Sequence, residues 1–359
     1  MQNLLYPVKV KNNFIFNPTS RDFIVDEIPL YEFTGEGEHL ILHVRKKDMT
    51  TWEMVSAISK YCKIKQRDIG YAGLKDKHAM TMQYVSLLAK DNEAILKTFN
   101  HDKIKILGTY RHNNKIRIGH LKGNHFKVRL KKVLGVQKNK LDSVLKWVKA
   151  NGVPNYFGNQ RFGNDGENWK DGQKLIEGTL KIRDKKKKTF LLNAYQSRLF
   201  NQWLSKRIEL SMLLESFNET DTEKVFNLPK GSLKGTKEQP HFFKILEGDL
   251  MMHYPFGRIF ELEDLAEEAK RFSQFDIAPS GLLAGKRVSR TTKTSALIEK
   301  DYDEEIGENG ARRYAWIKVS DIKKTYVEEK AHYELEFTLP KGCYATNVLD
   351  VLRGERASN

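Results

Sequence analysis

Apolar and polar residues alternate with a period of two in DFIVDEI (22–28) and HLILHVR (39–45), on either side of the turn-forming TGEGE. That pattern predicts two strands of one hairpin or meander. Thr50 and Glu53 then make a capping-box pattern, after which Met54, Val55, Ile58, Tyr61 and Cys62 recur at helical spacing and predict a helix with one buried face. Alternation resumes in MTMQYVSLL (80–88), with Met80, Met82 and Tyr84 on one face and Thr81, Gln83 and Val85 on the other. KIKILGTYR (103–111), KIRIGHL (115–121) and HFKVRLKKV (125–133) continue the strand-rich pattern, with KGN (122–124) as the break before the last. Leu141, Val144, Leu145 and Val148 mark a second amphipathic helix that Gly152 and Pro154 stop. HYELEFTLP (332–340) reads as a strand, and a short closing helix is expected after KGCYAT. A mixed, largely antiparallel sheet with helices on it accounts for these outer parts.

The middle of the chain, from QRFGNDGEN (160–168) to GARRYAWI (310–317), is of a different kind. In LLNAYQSRLFNQWLSKRIEL (191–210), Leu199, Phe200, Trp203, Leu204 and Ile208 form an apolar stripe of core residues. Turn-rich segments such as NLPKGSLKG and short extended pieces around FFKILEGDLMM alternate with helices, as in a separate α/β insertion. No repeat of fixed period is present.

With 359 residues the chain is long enough for two domains. Charged residues make up 30% and no apolar run is long enough to cross a bilayer, so a soluble protein is expected, without a membrane partner. MQNLLYPVKVKNN lacks the apolar region of a signal peptide, which points to the cytoplasm. Two cysteines, Cys62 and Cys343, with no CxxC or His/Cys cluster, indicate neither a disulfide framework nor a zinc site. The net charge of +16 changes the picture most. Such an excess of Lys and Arg favours a polyanion, and its interleaving with Tyr, Phe and His suits RNA better than a membrane. KKKK at 185–188 reads as a solvated loop and DYDEE at 301–305 as surface.

Three short segments offer chemistry. In GYAGLKDKHAMT (70–81) Asp76 lies between Lys75 and Lys77, with His78 beside them. The basic neighbours favour an ionised carboxylate, suited to act as nucleophile or base; a turn cap paired with Lys75 or Lys77 is the competing reading. Lys75 and Lys77, in a strand-like conformation, share the face opposite Asp76, so a cation from elsewhere is a candidate partner for it. In LKGNHFKVRL (121–130), Asn124 is placed to orient a base edge and Phe126 to stack on a base, or else to serve as turn residue and core aromatic. In PKGCYATNV (340–348), Tyr344 follows a glycine at a strand end.

Taken in order, GLKDKHAMTMQ, LKGNHFKVRL, GVPNYFGNQRFG (152–163) and LPKGCYATNV resemble the signature segments of the TruD family of transfer-RNA pseudouridine synthases. DFIVDE and GEGEHL also fit, and LLNAYQSRLFNQ, APSGLLAG and GARRYAWI look like that family's inserted TRUD domain. The resemblance implies an α+β fold with a pseudouridine-synthase-like catalytic lobe of mixed, mostly antiparallel sheet, formed by residues 1–157 and 318–359, and an inserted α/β TRUD domain over 158–317. It implies Asp76 as the catalytic aspartate, Asn124 and Phe126 as residues lining the uridine pocket, and Tyr344 at a position that is often Phe. Lys75, Lys77 and His78 are left as loop support. A lysine common before the early acidic segment is Asn17 here, and no role is carried onto it.

The implied reaction isomerises uridine to pseudouridine at position thirteen of tRNA, in the D-arm region. It is neither redox nor hydrolytic and calls for no cofactor and no metal. A monomer acting on tRNA is the expectation. Two rivals are a noncatalytic RNA-binding or RNA-chaperone protein on the same fold and a hydrolytic RNA enzyme; the absence of clustered carboxylates or a His-rich site in the sequence disfavours a metal nuclease.

Overall fold

A computed structural model of the chain describes residues 4–90, 92–163 and 165–354, which form two compact units. One is built from Asn13–Lys140 and Val319–Cys343, and the other takes the remaining described residues. The chain begins with β1 (Phe23–Pro29), β2 (His39–Lys47), α1 (Thr51–Cys62), β3 (Gly70–Tyr71), β4 (Met80–Leu88), α2 (Asn92–Leu96), β5 (Ile104–His112) and β6 (Leu121–Lys131). After α3 (Gly135–Asn151) come β7 (Val153–Pro154), α4 (Asn168–Ile176), α5 (Lys185–Ser216), α6 (Glu219–Val225), β8 (Leu250–His253), β9 (Ile259–Glu261), α7 (Leu265–Ser273) and β10 (Ile277–Leu283). The series closes with α8 (Lys293–Glu299), β11 (Ala311–Tyr314), β12 (Trp316–Ile317), β13 (Ser320–Val327), β14 (His332–Pro340) and α9 (Ala345–Arg353). The fold is α+β.

The first unit is organised on a sheet of order β13-β14-β6-β1-β4-β2-β5, with β3 beside β4. Among the described residues only β1 and β4 run parallel in this sheet; its other pairs are antiparallel. Leu40, Leu42 and Val44 of β2 and Val85 and Leu87 of β4 share a core with Met54, Val55, Ile58 and Cys62 of α1. The capping box that starts α1 is present: Thr50 Oγ1 accepts the Glu53 N–H at 3.1 Å and Glu53 accepts the Thr50 N–H at 2.6 Å. Thr81, Gln83 and Val85 are buried while Met80, Met82 and Tyr84 are half-buried, so the alternation places them on the two faces as expected.

Three strand expectations need correction. DFIVDEI and HLILHVR are not a hairpin, because β4 lies between β1 and β2 and pairs with both. A two-residue period identifies a strand's faces and says nothing about its neighbours. KIRIGHL is not a strand over 115–120: Ile118 is 71% exposed, and the Ile116 N–H is taken up by Ser86 Oγ at 2.8 Å. KGN is not a break, since Lys122–Asn124 lie within β6. Gly123 is required there for close approach, because a Cβ on it would sit 2.3 Å from the Leu339 carbonyl oxygen of β14.

In the second unit α5 runs 32 residues and buries Leu199, Phe200, Trp203, Leu204 and Ile208. It lies on a sheet of order β11-β10-β8-β9, where Gly281 of β10 faces the Trp203 ring so closely that a Cβ would be 2.2 Å from it. Lys185–Lys188 are not a loop but the first turn of α5, capped by Asp184, which accepts from the Lys186 and Lys187 N–H groups. Arg207 and Asp249 form a fully buried two-pronged ion pair, both contacts at 2.8 Å. Burial pushes the Asp249 carboxyl up, but Arg207 and the hydroxyl of Ser295 outweigh it and hold the group below the usual carboxylate range.

The compact units and the expected 1–157/318–359 and 158–317 domains do not share boundaries. Residues 141–157 and 344–354 belong to the same unit as the middle of the chain. The packing explains this: α9 buries Val348, Leu349, Val351 and Leu352, Asn347 donates to the Tyr156 carbonyl at 3.1 Å, and Tyr6 donates to Asp350 at 3.2 Å.

Candidate active site

Asp76 lies in the loop between β3 and β4, which is tied down at several points. The Ala72 carbonyl accepts from the Gly119 N–H at 2.8 Å, and the Ala79 carbonyl from the Asp48 N–H at 3.3 Å. Between them, the Lys75 N–H donates to Thr51 Oγ1 at 3.0 Å, and that hydroxyl donates to Gln83 Oε1 at 3.0 Å. The loop is thus joined to the first turn of α1 and the inward face of β4.

Two lysines anchor the loop around Asp76, and neither acts as a simple surface partner. Lys75 turns inward: its Nζ meets Glu27 Oε2 at 2.6 Å and donates to Asn124 Oδ1 at 2.9 Å, with the Lys75 and Glu27 side chains 5% and 1% exposed. Register explains the meeting, because Glu27 of β1 pairs with Asn124 of β6. Lys46, fully buried at the end of β2, donates to the Asp76 carbonyl at 2.8 Å and to the Met49 carbonyl at 2.7 Å. Burial pushes the Lys46 ammonium down to about 8, against the opposing field of the Asp76 charge.

The expectation that Lys75 and Lys77 share a face is therefore not met. The loop is irregular rather than strand-like, so the Lys75 side chain is buried while Lys77 and His78 are exposed. Asp76 itself is half-buried. Lys46, a cation from elsewhere in the sequence, meets the backbone carbonyl of Asp76.

Asn124 and Phe126 point to the same face of β6, where Phe126 is 5% exposed. Its ring lies parallel to Phe23, with centroids 6.1 Å apart and a 6° interplanar angle, and beside Phe337 at 5.5 Å and 28°. The structure thus brings Lys75, Asn124 and the Asp76 loop together, with Phe126 as a core ring on the face that carries Asn124. Tyr344 belongs to the other unit, at the N-cap of α9, with the Arg313 guanidinium 5.9 Å from its ring centre.

Lys46, Glu27 and Thr51 escaped the motif reading, although two of them carried a signal. Phe23, Val25 and Glu27 alternate on one strand face, as do Leu40, Leu42, Val44 and Lys46. A charge in step with buried apolar residues must have a partner. Glu27→Ala is expected to strand the Lys75 ammonium and release Asn124, destabilising the protein by about 3–5 kcal/mol. Urea unfolding followed by circular dichroism measures that loss.

Known proteins match this chain along most of its length. The family model for tRNA pseudouridine synthase D (TruD) matches residues 15–182 and 168–351. A tRNA pseudouridine synthase D of Sulfurimonas denitrificans is 52% identical over 338 residues, covering 94% of each chain. One of Wolinella succinogenes is 48% identical over 98% of each. A crystal structure of a Methanosarcina mazei protein assigned as TruD superposes with a TM-score of 0.61 over 99% of this chain and 96% of that one, at 22% identity, which shows the shared fold. Matched along nearly its whole length by the family model and by these relatives, the chain belongs to the TruD family of tRNA pseudouridine synthases.

Proposed function

We propose that this protein isomerises uridine to pseudouridine in tRNA, at position thirteen in the D-arm region, with Asp76 as the catalytic carboxylate. The observation that carries this reading is the loop geometry: Asp76 is half-buried while Lys46 holds its own carbonyl and Lys75 anchors the residue before it. Such anchoring restricts where the carboxylate can travel, which is what a reaction at one sugar carbon requires. The unit formed by Asn13–Lys140 and Val319–Cys343 is the catalytic one in this reading, since Asp76, Asn124 and Phe126 all lie in it.

The reaction breaks the N1–C1′ bond, turns the uracil, and forms a C5–C1′ bond as the C5 proton leaves to water and N1 takes up a proton. Asp76 serves it either by attacking C1′ or by removing a ribose proton. The uridine is flipped out of its stack to reach the carboxylate. Because Asn124 Oδ1 accepts from Lys75, its amide N–H groups are left to donate to a uracil carbonyl. Phe126 forms the aromatic wall behind that amide.

The test uses tRNA tritiated at uridine C5. Release of label into water from an uncut strand, with the new pseudouridine mapped to position thirteen, is the expected result. Binding without release identifies a noncatalytic RNA-binding protein, and shortened RNA identifies a hydrolytic enzyme; either outcome overturns the reading.

A further inference from the structure

Lys46 faces the core, but its neighbours on β2 face a concentration of positive charge. Arg45 lies directly opposite Lys105 of β5. Two residues further along, the Lys47 N–H donates to the Lys103 carbonyl at 3.0 Å, so these two lysines are also cross-strand neighbours. Like charges in direct opposition destabilise a sheet. Here two such pairs are stacked about 6.8 Å apart along the strands, and Lys97 adds a further cation from beyond α2. All five line one groove of about 560 Å³, together with Phe99 and His101.

Among the described residues none of these five cations has a carboxylate within ion-pair distance, and of the two acids in the groove Glu93 is already paired with Arg111. Elsewhere on the same sheet the pattern is the reverse: Lys127 is matched by Glu336, Arg129 by Glu334 and Asp22, and Lys131 by Asp22. Lysines on β5 alone would serve to protect an edge strand from pairing with another chain. Edge protection does not account for Arg45 and Lys47, which lie on the interior strand β2.

We propose that this groove is a binding track for the phosphodiester backbone of the substrate RNA, with the pairs Arg45/Lys105 and Lys47/Lys103 contacting phosphates. The inference rests on the reading of tRNA as substrate. Its position supports it, because Lys47 pairs on its other side with Met80, the residue at which the Asp76 loop rejoins the sheet. A strand held in the groove would run beside that loop.

The experiment measures tRNA binding by the full chain across a salt series from about 50 to 200 mM. Each phosphate contact contributes about 0.7–0.9 to the slope of log K against log salt, so the double variant R45Q/K105Q is expected to flatten the slope by roughly 1.5. Relief of the cross-strand repulsion should leave its thermal midpoint equal to or above that of the wild type. K47Q/K103Q is expected to behave the same way and supplies the measurement if the first variant does not fold. K224Q/K270Q removes two lysines paired with Asp221 and Glu267 on helix surfaces and should leave the slope unchanged.

An unaltered slope in the groove variants, or an equal flattening in K224Q/K270Q, overturns the proposal. Tritium release separates the two readings. A wild-type protein that releases none while its groove variants flatten the slope loses the isomerase reading and keeps the groove.

Discussion

Asp76→Asn should reduce tritium release from C5-labelled tRNA by about three orders of magnitude or more, the scale of loss when a nucleophile or base is removed from an otherwise intact site. The amide keeps the size of the side chain but can neither attack C1′ nor accept a proton at neutral pH. The backbone anchors at Ala72, Lys75, Asp76 and Ala79 do not involve the carboxylate, so the fold should survive. Affinity for tRNA and its salt dependence should therefore match the wild type. Single-turnover rates with saturating enzyme isolate the chemical step, and a rate for Asp76→Asn within about tenfold of wild type would sink the assignment of Asp76.

Lys46→Met should cost about a hundredfold in the same single-turnover rate, because a displacement of the order of 1 Å at a reacting group has that effect. Methionine fills the volume but leaves the Met49 and Asp76 carbonyls without the ammonium that joins them. The pH profile distinguishes this role from simple packing. The charged groups acting on Lys46 are Asp76, Glu53 and Asp48, which favour its protonated form, and Lys75, which opposes it; burial dominates and sets the value near 8.

Below that value Lys46 is charged in both folded and unfolded chains. Between about 8 and the ordinary 10.5 it is neutral when folded and protonated when unfolded, so folding stability rises with pH across that window. Activity should move the other way. As Lys46 loses its charge the field at the Asp76 loop weakens, giving an alkaline limb near pH 8 that is absent from the residual activity of Lys46→Met. An unchanged alkaline limb in that variant would refute the assignment.

Much of the local structure was legible in the order of residues. The capping box at Thr50 and Glu53, the faces of MTMQYVSLL and the stripe on α5 follow from periodicity and hydrogen-bond chemistry that act within a few residues. The four signature segments placed the chain in its family and drew attention to Asp76 and Asn124. They did not disclose the roles of Glu27, which closes DFIVDE, or of Lys46, because the meaning of each lies in a partner far along the chain, Glu27 with Lys75 and Lys46 with the Asp76 carbonyl. A charge in register with buried apolar residues was the available clue.

The order of residues was enough to identify the strongly periodic strands and helices, the faces they bury and the family to which the chain belongs, since these depend on side-chain periodicity and on contiguous motifs. Tertiary structure decided the rest. It inserted β4 between β1 and β2, carried Lys122–Asn124 into β6, and turned Lys75 inward while leaving Lys77 outside. The physical reason is common to all three. Strand order and ion pairing are set by which distant surfaces exclude water together and which buried charges must then find one another, and neither is encoded in the spacing of neighbours along the chain.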